Sequence, residues 1–540
     1  MTEVSQPYRN VECSSPASHC TTSLSTGNMH WSTLAAVLGF VGASEALLRG
    51  PKPIKSMKTI TETLLSDASK KPSTGNATVA YFDQLIDHSR PELGTFKQRY
   101  FYSTAYYQGP GSPVSVEAPS EAAVRDEYVT LTNKTMVGFI AQNLGGAAVT
   151  LEHRFYGAST PVQGARNTEN LQPLTLENSI DDLVYFARNV KFPFDPQGKS
   201  HPDSAPWTLS GCSYAGALSA WTEKLAPGTF WAYEAGSAVV QARNDLWQYY
   251  KVVGEALPQN CSADWRRVMA HIDETLMHGS DSNKKQLKGN LGAANLSDQA
   301  AAESATRWLD NWQSQQYYSG YSSIFKMCDY IENQLPEQYE PAPGHEGLGL
   351  EKALEGFFRG LKDRKLSRED TLDDGGSDPW LWQLCNEPFQ WWQTERPGTP
   401  LHVTTGYDTE ESMRRETCLD GFPDVGRHKV GIKLGRDEDT VNRLTGGWDN
   451  NNATRLVWVN AEFDPWLYAT VSSPDRPDGP LQSTENAPVF MLRGAAHCND
   501  YVTKNYDVNE DARTMFDGVA TNMKKWAAEF YEQHNVTRRF

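Results

Sequence analysis

The sequence predicts an α/β fold: a mostly parallel sheet covered on both faces and interrupted by a helical insertion. Three observations carry this. Short apolar runs alternate with an amphipathic helix between about residues 80 and 240, the pattern of strands joined by helical crossovers. A long middle stretch then shows helical periodicity. Strand signals return near residues 455 and 487, ahead of a final helix.

Taken in order, Pro113–Val116 and Ala147–Glu152 are short apolar runs flanked by turn residues, and both read as strands. Leu174–Val190 sets Ile180, Leu183, Val184 and Phe186 on one side of a helix. Pro206–Leu209 and Phe230–Val240 read as further strands. Ala263–Met277, Gln299–Gln315, Ser322–Asn333 and Leu350–Leu361 are helical by periodicity and propensity. The charged, glycine-containing run between Asp363 and Pro379 reads as an exposed loop. Arg455–Asn460 and Ala487–Leu492 are strand-like, and Asp511–Tyr531 is the closing helix. The organisation expected is an N-terminal extension and signal peptide (1–46), a propeptide or linker (47–79), a core in two parts (80–245 and 451–540) and a helical cap domain between them (246–450).

Composition narrows the function. The chain has 540 residues, 16 Trp, 23 Tyr and a formal net charge of −17. A surface of that sign repels nucleic acid and anionic membranes, so neither is expected as a partner. From Met29 an apolar run, Thr33 to Ala43, leads into Ser44-Glu45-Ala46, which has the form of a cleaved export signal and is too short to anchor in a bilayer. The polar stretch before Met29 reads as an untranslocated extension or a start set too early. Sequons at Asn76, Asn133, Asn260, Asn295, Asn452 and Asn535 exceed the roughly three that chance composition gives, and they fit an exported, glycosylated chain. The six cysteines beyond Cys20 (Cys212, Cys261, Cys328, Cys385, Cys418 and Cys498) suggest bridges, although six allow fifteen pairings. Neither a Cys-x-x-Cys pair nor a His-Glu-x-x-His run is present, so no metal site and no cofactor is expected.

The chemistry concentrates in three places. In Trp207-Thr208-Leu209-Ser210-Gly211-Cys212-Ser213-Tyr214-Ala215-Gly216 a strand runs into Gly-x-Ser and Ala217–Lys224 continues as a helix. A serine on such a tight strand-to-helix turn exposes its hydroxyl, and the next N–H faces the same point. The second Gly of the usual pattern falls one place late, at Gly216. Downstream, the strand Leu456–Asn460 leads into Ala461-Glu462-Phe463-Asp464 and supplies an acid. The strand Val489–Leu492 leads, 33 residues after Asp464, to His497. The order Ser, acid, His is that of a nucleophile with its base and orienting acid on an α/β-hydrolase fold. Glu462 is the rival acid.

With those residues in hand, the chain resembles the serine peptidase family of lysosomal Pro-X carboxypeptidase and dipeptidyl peptidase II, and looks closest to the secreted fungal acid prolyl endopeptidases. The similarity runs from about Ala80 to Tyr531. It rests on Phe82-Asp83-Gln84-Leu85-Ile86-Asp87-His88, Gly94-Thr95-Phe96-Lys97-Gln98-Arg99-Tyr100, Glu152-His153-Arg154-Phe155-Tyr156-Gly157, Leu384-Cys385-Asn386-Glu387-Pro388-Phe389, Thr445-Gly446-Gly447-Trp448-Asp449 and Asp464-Pro465-Trp466. The resemblance implies Ser213 as nucleophile, Asp464 as orienting acid, His497 as base, the Tyr214 N–H as an oxyanion donor and Trp466 as a wall of a proline pocket. It implies proline-containing peptides as substrates, cut on the carboxyl side of proline by a secreted enzyme; a vacuolar or lysosomal destination is the alternative. With nearness in sequence, it also implies Cys261–Cys328 and Cys385–Cys418 bridges. Cys212 and Cys498 adjoin Ser213 and His497, so either a bridge or two buried free thiols fits there.

The chain departs from the family pattern at Pro119-Ser120-Glu121, near the expected second oxyanion donor, at Ala461 before the acid and at Cys212 before the nucleophile. Glu152, His153 and Arg154 stand close to a strand and read as a structural salt-bridge cluster. The triad alone does not separate a peptidase from an esterase or lipase, or from a silent hydrolase-fold binding protein. Endopeptidase or exopeptidase action and the oligomeric state are left open.

Overall fold

The computed structural model describes residues 77–124, 131–335, 343–363, 379–394, 403–407 and 409–536. The expected export signal, most of the expected linker 47–79, Asn76 and nearly all of the 363–379 run lie outside them. Eight strands form one sheet: β1 (Thr78–Leu85), β2 (Thr95–Ser103), β3 (Val114–Glu117), β4 (Ala147–Leu151), β5 (Trp207–Cys212), β6 (Ala232–Gly236), β9 (Leu456–Ala461) and β10 (Val489–Leu492). Their spatial order is β1-β2-β4-β3-β5-β6-β9-β10. Every pair from β4 to β10 is parallel; β2 is antiparallel to both β1 and β4. The connections reverse around β3, and the chain order on either side is that of an α/β-hydrolase.

Burial explains which strands lie inside. β4, β5, β6 and β9 are buried at every position, as strands covered on both faces must be. One face is covered by the helices Met136–Leu144 and Glu510–Gln533, whose Ile140, Leu144, Phe516, Val519 and Met523 pack on Val457 and Val459. Leu176–Asn189 and Tyr214–Leu225 contribute Ile180, Leu183, Phe186, Leu218 and Trp221 to the larger core on the other. The Thr175 hydroxyl accepts from the Asn178 N–H and caps the first of that pair.

Between β6 and β9 the chain leaves the sheet. It forms helices at Gln248–Ala256, Gln259–His278, Asp281–Asn290, Asp298–Thr306, Ser323–Ile331, Leu350–Asp363, Pro379–Asn386 and Glu438–Thr445. Two differences from the sequence reading stand out. The expected helix Gln299–Gln315 ends at Thr306 and gives way to a 3₁₀ turn, Leu309–Ser314. There the Trp312 Nε1–H is anchored on the Phe463 carbonyl at 2.8 Å, a tertiary contact that overrides propensity. The inserted stretch is also not purely helical: β8 (Gln390–Trp392) pairs in parallel with β7 (Arg243–Asp245). Among the described residues no helix is long and apolar enough to cross a membrane.

Three disulfides are formed, Cys212–Cys498, Cys261–Cys328 and Cys385–Cys418. Of the described sequons, Asn133, Asn295, Asn452 and Asn535 are exposed. Asn260 is half-buried, and its Nδ2 donates to Glu332 Oε2 at 3.2 Å.

Candidate active site

β5 ends at Cys212 and the helix begins at Tyr214, which leaves Ser213 alone in the turn at φ 62°, ψ −126°. A non-glycine residue holds such a backbone only when its surroundings impose it. Here the Ser213 N–H donates to the Gly236 carbonyl at 2.9 Å, and the Ser213 carbonyl accepts from the Ala217 N–H at 2.9 Å. Small residues make room. A Cβ on Gly211 would fall 2.6 Å from the Ala215 carbonyl carbon, and one on Gly216 would fall 2.6 Å from the Gly236 carbonyl oxygen. Both positions therefore require glycine, while Ala215 fits because Gly211 lies opposite it. The late second glycine of the motif has its reason in that contact.

Asp464 and His497 leave the carboxyl ends of β9 and β10, and each is fully buried. His497 Nδ1 lies 2.8 and 2.9 Å from the two Asp464 oxygens. Asp464 Oδ1 also accepts from the Trp466 N–H at 2.9 Å. A carboxylate can only accept, so Nδ1 carries a proton, and in the neutral ring Nε2 is left as the acceptor. That Nε2 is buried without a hydrogen-bond partner. Ser213, whose chain neighbour Cys212 is bonded to Cys498, is 7% exposed. Glu462 is exposed and instead accepts from the Gly494 N–H at 2.9 Å. The Cys212–Cys498 bridge joins the residue before Ser213 to the residue after His497, with Cα atoms 5.9 Å apart. Ser237 Oγ accepts from the Cys498 N–H at 3.1 Å as a second tie. The grouping of Cys212, His497 and Cys498 offers no thiolate to a metal, because its two sulfurs are bonded to each other.

Trp466 is buried. Its ring meets Tyr249 edge-on at 5.3 Å and Trp391 at 6.3 Å, and lies 6.2 Å from the His497 ring. Its Nε1–H and the Tyr249 hydroxyl both donate to Gln313 Oε1, at 3.0 and 3.2 Å. Trp391 in turn stacks on Phe389 at 4.8 Å, and Gln390 and Trp391 both have positive φ. Tyr249, Gln313 and Trp391 escaped the sequence reading. The run Phe389-Gln390-Trp391-Trp392 was the available signal, but nothing in it says that this short strand reaches the site.

Around this lies a buried polar shell. Arg154 pairs with Asp182 and donates to the Ile86 and Pro173 carbonyls at 3.0 and 2.9 Å. Arg99 pairs with Glu152. These are structural roles, as the sequence suggested. His153 departs from that cluster by facing the elbow: its Nε2 lies 3.2 Å from the Tyr214 hydroxyl. The segment Pro119-Ser120-Glu121 leaves β3 beside β5, where the Ala118 N–H donates to the Ser210 carbonyl at 2.8 Å. Glu234 on β6 and Asp500 form a buried carboxyl pair joined by a side-chain hydrogen bond. Burial pushes Asp500 up to about 6 and Glu234 well above its ordinary range, where the Asp500 charge raises it further. An added Cβ on Gly236 would strike Asp500 Oδ2, so this pair packs directly on the residue that fixes the Ser213 N–H.

The sheet order, the serine turn and the His497–Asp464 pair at the carboxyl edge define the α/β-hydrolase class. The family model described as "Serine carboxypeptidase S28" matches residues 84–513, and the chain belongs to that family of serine peptidases. "Serine protease vicPb" of Bipolaris victoriae is 34% identical over 84% of this chain and 90% of its own. "Probable extracellular serine carboxypeptidase" of Arthroderma benhamiae is 26% identical over 76% of this chain and 62% of its own. The human "Thymus-specific serine protease" is 23% identical over 83% and 86%.

Proposed function

We propose that the chain is a secreted serine peptidase that hydrolyses peptide bonds on the carboxyl side of proline through a Ser213-His497-Asp464 triad and an acyl-enzyme. The observation that carries this reading is the buried His497–Asp464 pair, whose Nε2 has no hydrogen-bond partner and whose loop is bonded through Cys498–Cys212 to the turn that holds Ser213 at positive φ. In resting serine hydrolases the nucleophile–base bond is often open and tightens on the substrate. His497 Nε2 then takes the Ser213 proton as Oγ attacks the carbonyl carbon, and returns it to the leaving amine. Water attacks the acyl-enzyme by the same route. Asp464 fixes the tautomer and stabilises the imidazolium. The Tyr214 N–H, at the first position of its helix, is not consumed by the helix and is directed at the oxyanion.

Proline specificity draws on the aromatic walls of Trp466, Tyr249 and Trp391. Flat apolar rings suit a pyrrolidine, and an imide without N–H leaves no donor to satisfy. The stretch 246–450 serves as the cap that encloses this pocket. Three disulfides and an extracellular relative support secretion. The test has two arms. A fluorophosphonate should label Ser213, and Ser213→Ala should lose both label and turnover. Peptides with proline before the cleaved bond should be cut faster than matched alanine peptides; equal rates would remove the specificity while leaving the peptidase.

A further inference from the structure

We propose that His153 and Gln383 are positioning residues that hold the Tyr214 side chain, and with it the Tyr214 N–H, in the orientation that binds the oxyanion. The inference rests on the triad reading above and adds to it the device that orients the donor.

The device is a chain of four hydrogen bonds, all buried. His153 Nδ1 lies 2.8 Å from the Arg154 carbonyl oxygen, and His153 Nε2 lies 3.2 Å from the Tyr214 hydroxyl. Gln383 Nε2 lies 2.8 Å from the same hydroxyl, and Gln383 Oε1 accepts from the Tyr156 hydroxyl at 2.9 Å. The chemistry of the end group fixes the tautomer of the His153 ring. A carbonyl only accepts, so His153 Nδ1 must carry the hydrogen. In the neutral ring Nε2 is then an acceptor, so the phenol donates to it. The phenol oxygen receives the Gln383 amide hydrogen in return. Flipping that amide would set Oε1 against an oxygen whose hydrogen is already committed, which excludes the alternative. Ser179 also hydrogen-bonds the Tyr214 hydroxyl; its own hydrogen goes to the Thr175 carbonyl at 2.7 Å, so it is a second acceptor for the phenol hydrogen beside His153 Nε2.

The environment keeps the chain in this one state. Burial lowers His153 to about 4, against the opposing pull of the Arg154 carbonyl and Asp182, so the ring stays neutral and accepting. Burial raises the Tyr214 phenol, so it stays protonated and donating. A buried phenol with its hydrogen bonds made does not turn freely, because rotation would leave buried polar groups unpaired.

The geometry converts this anchoring into catalysis. Tyr214 is the first residue of the elbow helix, and its peptide is the one shared with Ser213. Pinning the far end of the side chain fixes the tilt of that peptide without occupying its N–H. The anchor points come from two places: His153 follows β4 in the core, and Gln383 lies on the helix Pro379–Asn386 of the inserted stretch. The phenol ring also meets Trp380 at 5.3 Å and Phe389 at 6.0 Å, and Phe389 carries Trp391. The donor and the aromatic pocket are therefore set by one packed unit.

Because oxyanion donors act in the transition state and hardly at all on bound substrate, the signature is in kcat. Tyr214→Phe keeps the ring and removes only the hydroxyl. The proposal expects kcat to fall about 10- to 100-fold, KM to stay within about twofold, and binding of a peptide boronate, which mimics the oxyanion, to weaken by the same factor as kcat. Gln383→Met keeps the phenol, should give a smaller loss of the same kind, and carries the test if Tyr214→Phe does not fold. Ser213 labelling by a fluorophosphonate is followed in parallel. If the wild-type serine is labelled and both variants keep full kcat, the positioning role is overturned and the triad reading stands. A loss confined to KM also overturns it, because the network would then serve the pocket. If the wild-type Ser213 is not labelled, the triad reading itself fails and takes this inference with it.

Discussion

Two carboxylates stand two residues apart after β9, and the backbone sends them to different tasks. Asp464 meets His497 in the interior, whereas Glu462 faces solvent and caps the Gly494 N–H. If Asp464 sets the imidazole tautomer, Asp464→Asn should keep the fold and lower kcat by about 10⁴, because an amide that donates to Nδ1 leaves the proton on the wrong nitrogen. Glu462→Gln should change kcat by no more than a few-fold; steady-state rates on one proline peptide decide between them. A large loss in Glu462→Gln with Asp464→Asn unaffected would reverse the assignment. The sequence left this choice open at the residue level, since strand alternation alone does not say where β9 ends and its turn begins. Ser213 was more legible, because Gly211, Ala215 and Gly216 record in the sequence the close approach that the turn needs. Tyr249, Gln313 and Trp391 left no such record: their nearness to Trp466 depends on how the inserted stretch returns to the sheet.

At the scale of elements, the elbow and the histidine loop belong to strands far apart in the chain, β5 and β10; the Cys212–Cys498 bridge joins them directly, while the Ser237–Cys498 hydrogen bond and the Glu234–Asp500 pair hold the histidine loop to β6, whose Gly236 carbonyl takes the Ser213 N–H. The bridge closes a loop of sequence separation 286. Such long closures restrict the unfolded chain strongly, so the double variant Cys212→Ala, Cys498→Ala should lose about 2–5 kcal/mol of stability in a denaturant titration. Its turnover should also fall, because His497 then depends on weaker ties; unchanged stability and turnover together would show the bridge to be dispensable. Other elements explain what the sequence made visible. β4, β5 and β9 are buried on both faces, and β4 and β9 stand out as nearly continuous apolar runs. β1 lies at the sheet edge with Val79 and Tyr81 exposed, and its mixed pattern Thr-Val-Ala-Tyr-Phe-Asp-Gln-Leu resembled a motif more than a strand. β8 has three residues, two of them at positive φ, and no periodicity can reveal so short a piece.

Across the whole molecule the net charge of −17 hides a division among the acids that only burial and pairing reveal. One group is shifted toward the protonated form: Asp500 and Asp273 at about 6, Glu303 and Glu387 at about 7, and Glu332, beside Asp264, at about 8, with burial the first cause in each. The other is held ionised, as in Asp182, where burial is outweighed by the Arg154 charge and the hydrogen bonds from His88 and Arg154. The two act in opposite directions on stability. An acid raised in the folded state stabilises it fully below its unfolded value near 4, and that contribution is lost as pH rises through the folded value. An acid lowered in the folded state contributes above its unfolded value and loses this as pH falls through the folded one. The balance places maximum stability on the acidic side, near pH 4 to 5, with a decline from there to about pH 8. Glu387, fully buried and at about 7, accounts for up to roughly 3 kcal/mol of that decline. Melting temperatures measured from pH 3 to 8 should follow this dome, and a flat or rising profile between pH 5 and 8 would refute it. The Glu234–Asp500 pair gives the sharper form of the test. Glu234→Gln keeps a hydrogen bond to Asp500 without a second charge, so it should flatten the alkaline decline. Because the pair packs on Gly236 and its Asp500 lies three residues beyond His497, the same variant should also carry turnover to higher pH than the wild type. If Glu234→Gln melts and turns over with the wild-type pH dependence, the shared proton at that pair is not what ties the molecule to acid conditions.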